Sequence, residues 1–153
     1  MKLTKEEKLS LKKRTEKKIE EIESYINDLL SFKPETLEEY EANSMRRAAC
    51  ERCCEKIAEA VVDLAIFMIR YLEIDFTDED NKAFGILFKN RIINEELYAR
   101  LDDLKGMRDR IAHQYDKVDN SVVYHAISEE IERDTTEFLN SVNSFLEKEE
   151  NKK

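Results

Sequence analysis

Arg108, Asp109, Arg110, His113 and Tyr115 fall within eight residues, and His113 is one of only two histidines in the chain. An imidazole titrates near neutral pH, so it can take or give a proton under cellular conditions. A guanidinium offers a rigid fork of donors that matches phosphate oxygens. Together these groups suit phosphodiester cleavage in which an RNA 2′-hydroxyl attacks its own phosphate. The arginine would stabilise charge on the five-coordinate phosphorus, and this chemistry requires no metal and no cofactor. If the segment is helical, Asp109 and His113 lie four residues apart on one face, where the carboxylate can fix the imidazole's tautomer and orientation. Arg108 then stands about 140° round the helix from His113. Cleavage of this kind works best with both an acid and a base, yet the segment supplies one histidine. A two-fold dimer would bring a second copy to the same phosphate, so the chemistry itself leads us to expect a homodimer.

The pattern Arg108-x-x-x-x-His113-x-Tyr115 resembles the Arg-x(4–6)-His signature of HEPN domains, and in particular the HepT-type toxins, whose motif ends in His-x-Tyr. Gly106 before the arginine and Val118-Asp119 after the tyrosine agree with it. So do Ile92-Ile93-Asn94-Glu95-Glu96-Leu97 and the run from Glu51-Arg52 into Ala60-Val61-Val62-Asp63-Leu64-Ala65. The resemblance spans about residues 10 to 147, and the later part carries the sharp motif. It implies an up-and-down helical bundle that dimerises through the motif-bearing face. It also implies a metal-independent RNA endonuclease toxin of a toxin–antitoxin pair, with Arg108 and His113 catalytic. The implied partner is an MNT-type nucleotidyltransferase antitoxin that adds AMP to the hydroxyl of Tyr115. Each added phosphate would repel and block RNA at a pocket built for phosphate. Asp109 stands where the family usually has asparagine. It and the acidic surface favour the alternative, a non-catalytic module that binds a nucleotide or the nucleotidyltransferase.

The elements that must hold this segment follow from periodicity. Leu11, Thr15, Ile19, Ile22, Ile26 and Leu29 make a helical stripe over about residues 4–32. Pro34 closes that helix and opens a second, expected over about 35–72 with a bend near Asn43-Ser44. The stretch Ala58–Leu72 is apolar on more than one face and should be the most buried. Thr77 or Asp78 can cap a short third helix through Phe88. Asn94 with Glu95-Glu96 signals the start of a fourth, carrying Leu97, Leu101 and Leu104, which Gly106 should interrupt. The last helix is expected over about 121–147, after a capping loop from Asp116 to Ser121. The expected architecture is a single all-α domain over 1–153, a bundle of about five helices, with ends frayed at about 1–5 and 148–153.

Composition narrows the class further. Two glycines and one proline in 153 residues argue against a turn-rich all-β fold. A formal net charge of −9 excludes a generic nucleic-acid coat. Between Lys89 and Lys117, however, seven basic and six acidic side chains leave +1, so the motif is the region least repulsive to RNA. The charged start carries no signal-peptide pattern, and no apolar run reaches membrane-spanning length. Cys50, Cys53 and Cys54 crowd one helix without the fourth ligand a structural zinc site needs. They read as small buried hydrophobes in a reducing cytoplasm. Arg110 reads as a surface or RNA-steering charge, and His125 as structural or exposed.

Overall fold

A computed structural model describes residues 2–76, 82–113 and 118–152. Among these residues there are six helices and no strand. Helix α1 spans Lys5–Phe32, α2 Leu37–Ala42, α3 Ser44–Tyr71, α4 Ala83–Lys89 and α5 Glu95–His113. Helix α6 is one rod in three parts: α-helical over Asn120–His125, a π turn over Ala126–Glu130, and α-helical again over Ile131–Asn151.

Each start has a local cause. Thr4 closes a full capping box with Glu7, and the Leu3 amide donates to Glu73 Oε1 at 3.1 Å, so the helix begins at Lys5 with its first turn secured. The expected bend at Asn43 is a complete break. Asn43 leaves helical geometry and its side chain accepts from the Arg46 amide, capping α3 afresh. Asn94 caps α5 as expected, accepting from the Leu97 amide at 2.8 Å. The cap assigned to Thr77 or Asp78 lies outside the described residues. Both α3 and α4 end in Schellman turns: Ile74 N–H reaches Ile69 C=O, and Ile92 N–H reaches Leu87 C=O. The residues in the left-handed position are Glu73 (φ 60°) and Arg91 (φ 63°), where glycine would be unstrained.

One expectation fails. Gly106 does not interrupt α5, which runs unbroken to His113. The backbone there is right-handed, and the buried stripe Leu97, Leu101, Leu104, Met107, Ile111 carries the helix through a residue of poor propensity. Helix α6 runs to Asn151.

The core is one continuous cluster. Helix α3 runs through its middle, with thirteen buried residues from Cys50 to Tyr71, as its two-sided apolar pattern predicts. It packs on α1 along one side and on α4, α5 and α6 along the others. Phe84 and Phe138 meet edge to face at 6.1 Å, joining α4 to α6. Tyr124 of α6 packs on Tyr40 of α2 and donates to the Pro34 carbonyl at 3.1 Å, which ties the start of α6 to the α1–α2 corner.

Candidate active site

The motif occupies the last two turns of α5. Met107 and Ile111 face inward, and Cys54 Sγ of α3 meets Met107 Sδ at 3.9 Å. This apolar seam fixes the rotation of α5 and therefore which side chains face out. Asp109, Arg110 and His113 fall on the outer side, with Arg108 on the flank. His113 is exposed and is the last described residue of the helix. Tyr115, together with Gln114, Asp116 and Lys117, lies outside the described residues. Asp119 takes up the chain again as the cap of α6, accepting from the Ser121 amide at 3.0 Å and hydroxyl at 2.8 Å. Those bonds, the hydroxyl's first, hold its carboxyl below the usual range.

Asp109 was expected to orient His113. Its Oδ1 instead accepts from Arg108, from Nε at 3.0 Å and Nη2 at 2.8 Å. No hydrogen bond joins Asp109 to His113 among the described residues. The Arg108 side chain is 20% exposed and that of Asp109 49%, so the carboxylate is the solvent-facing member of the pair.

Two features here had no signal in the sequence. Between the last turns of α5 and the start of α6 lies a groove of about 330 Å³, floored by Met107, Ile111 and Val123. It continues as a hollow of about 200 Å³ beside the π turn. Arg110 borders both, so this exposed cation sits at the mouth of a groove next to the motif. The second feature is the tie between α5 and α6 about two turns before the motif. Arg100 donates to Asp134 at 3.0 Å and to Glu137 at 2.6 Å, and Arg133 also reaches Asp134, at 2.9 Å. Asp134 is buried on the same face as Ile131 and Phe138, and only contact in three dimensions shows that Arg100 meets it there.

The remaining candidates stay outside the chemistry. His125 is exposed and pairs with Glu130 at 3.2 Å across the π turn. The three cysteines are free and buried, and among the described residues no cluster is suited to a metal ion. Burial pushes the Cys50 thiol up to about 11 and Cys54 to about 12, and raises Cys53 as well. Such thiols carry almost no thiolate at pH 8. Iodoacetamide at pH 8 should therefore leave the folded protein's mass unchanged and add three groups once it is unfolded. Rapid labelling of the folded protein would contradict this burial.

Comparison with known proteins gives a consistent picture. The sequence pattern of a family described as ribonuclease HepT-like matches residues 16–142. The chain is 28% identical over 131 residues to the tRNA nuclease HepT of Aphanizomenon flos-aquae, covering 86% of this chain and 88% of that protein. It is 25% identical over 92 residues to the mRNA nuclease HepT of Shewanella oneidensis, covering 60% of this chain and 65% of that one. Its fold is similar to that of a tri-AMPylated Shewanella oneidensis HEPN toxin solved in complex with MNT antitoxin. There the TM-score is 0.78 at 18% identity, over 85% of this chain and 96% of the other.

Proposed function

Because the chain belongs to the ribonuclease HepT-like family, we propose that it is an RNA endonuclease toxin, with Arg108 and His113 as its catalytic groups. The observation that carries this reading is their placement. An exposed imidazole and a flank arginine stand within two turns of one rigid helix, whose rotation is set by the buried seam through Met107 and Ile111. The arginine grips the scissile phosphate. The imidazole of one subunit removes the proton from the 2′-hydroxyl, whose oxygen then attacks phosphorus. The 5′-oxygen leaves and takes a proton from the imidazole of the second subunit. Two chains therefore form the site, pressed together through the outer face of α5, and neither step calls for a metal.

The partner is an MNT-type nucleotidyltransferase, which silences the toxin by adding AMP to Tyr115. The protein works in the cytoplasm. Among the described residues no helix is long and apolar enough to cross a membrane, and three free thiols suit a reducing compartment.

Product ends test the chemistry directly. RNA cut in the presence of EDTA should carry 2′,3′-cyclic phosphate on one side and a free 5′-hydroxyl on the other. Products with 5′-phosphates, or activity lost to EDTA, would contradict the mechanism. The non-catalytic alternative predicts no cut at all.

A further inference from the structure

The Arg108–Asp109 pair joins adjacent residues, and adjacent residues on a helix do not ordinarily face one another. Consecutive side chains point about 100° apart, so Arg108 meets Asp109 only by swinging its guanidinium round the helix. That swing is toward His113. On the helix Asp109 stands about 40° round from His113, against about 140° for Arg108, so pairing with Asp109 draws the guanidinium toward the imidazole's side. The pair also occupies the Nε–Nη2 edge of the guanidinium, an edge that can grip a phosphate with two parallel bonds.

From this geometry, and resting on the reading of Arg108 as the phosphate-binding group, we propose that Asp109 is a positioning residue that acts on Arg108 rather than on His113. Its carboxylate carries the guanidinium onto the His113 side of α5, and when RNA binds, the phosphate displaces it from Nη2 while the bond from Nε keeps the guanidinium there. Displacement is easy because the carboxylate is half exposed and the pair is a surface ion pair, which water and salt weaken. The two effects oppose each other. Orientation raises turnover, while the negative charge competes with the substrate's own.

The substitutions Asp109→Asn and Asp109→Ala separate these effects. Asparagine keeps an oxygen acceptor for Arg108 but removes the charge, and alanine removes both. Asp103→Asn, an exposed acid on the same helix, changes net charge by the same amount without touching Arg108. Steady-state cleavage gives kcat and KM. Fluorescence anisotropy with a 2′-O-methyl oligoribonucleotide, which lacks the attacking hydroxyl, gives affinity without turnover. Asp109→Asn should bind the probe and the substrate about three- to tenfold more tightly, with kcat within about twofold of the parent. Asp109→Ala should lose about tenfold in kcat, because the guanidinium is no longer held near the imidazole. Asp103→Asn should do neither.

The proposal is overturned if Asp109→Asn binds no more tightly than the parent, if Asp103→Asn tightens binding equally, or if Asp109→Ala keeps full kcat. Failure of the nuclease reading looks different. No chain would cut RNA, yet Asp109→Asn would still bind the probe more tightly, so the competition of Asp109 with phosphate for Arg108 would stand while its part in turnover would fall.

Discussion

Changing His113 to alanine should slow RNA cleavage by about 10²–10⁴-fold, the usual contribution of a positioned acid–base group. Arg108→Ala should cost about 10²–10³-fold, as when one donor to a developing phosphorane charge is lost. Neither should unfold the protein. His113 is exposed at the end of α5 and its loss should stay within about 0.5 kcal/mol, while loss of Arg108, 20% exposed and paired with the half-exposed Asp109, should cost about 1 kcal/mol. Growth arrest on expression should disappear with either substitution while the fold is kept, at unchanged melting temperature for His113→Ala. An alanine variant at position 113 that remains as toxic as the parent, or cuts RNA as fast, would remove the catalytic assignment. A variant that is inactive because it no longer folds would be recognised by its lost helical signal. At the level of mechanism, the two losses should not add, because both groups act in one transition state.

The largest expected effect on stability lies about two turns earlier on α5. Asp134 is 4% exposed, and two guanidiniums converge on its Oδ1. Asp134→Ala leaves the mostly buried Arg100 with Glu137 and a distant Glu96 as its remaining partners, at 2.6 and 3.9 Å. Removing one member of a buried charge pair leaves the other uncompensated, and about 3 kcal/mol should be lost. Urea unfolding measures this directly, since a lower midpoint at unchanged slope reports stability alone. The double variant Arg100→Met with Asp134→Leu should recover much of the loss, because it removes both charges and keeps the volume. A single Asp134→Ala variant within about 0.5 kcal/mol of the parent would show that the tie contributes little. The tie matters to the site because it fixes α5 against α6, and α6 begins at the far side of the groove that Arg110 borders.

How legible all this was depended on the range of the interactions involved. The stripe from Leu11 to Leu29 and the two-sided apolar run in α3 are local patterns, and both map onto buried faces. The caps at Asn94 and Asp119 are equally local, since each needs only a side chain and the amides two or three residues on. Gly106 misled because propensity is a weak preference. Five buried side chains on α5 outweigh one glycine. The break at Asn43 was underestimated for a similar reason, because a bend and a new cap have the same composition. Within the site, spacing placed Arg108, Asp109 and His113 on two turns of one helix. Spacing alone paired Asp109 with His113, four residues on. Rotamer choice, which no periodicity encodes, paired it with Arg108 instead. The groove beside Arg110 and the pairing of Arg100 with Asp134 depend on how α6 lies on α5, and a one-dimensional pattern holds no trace of that.

The π turn at Ala126–Glu130 has a consequence for the length of the last helix. A π turn amounts to one surplus residue lodged in an α-helix. It acts as a slip joint. The short arm before it is locked by Tyr124 to the Pro34 corner, and the long arm after it is locked by Phe138 and Asp134 to the bundle. Each arm can therefore keep its own angular phase: deleting a single residue within the π turn would restore a plain α-helix with both locks nearly in place, whereas deleting one between the turn and Asp134 would rotate the far lock about 100° away from its keyway.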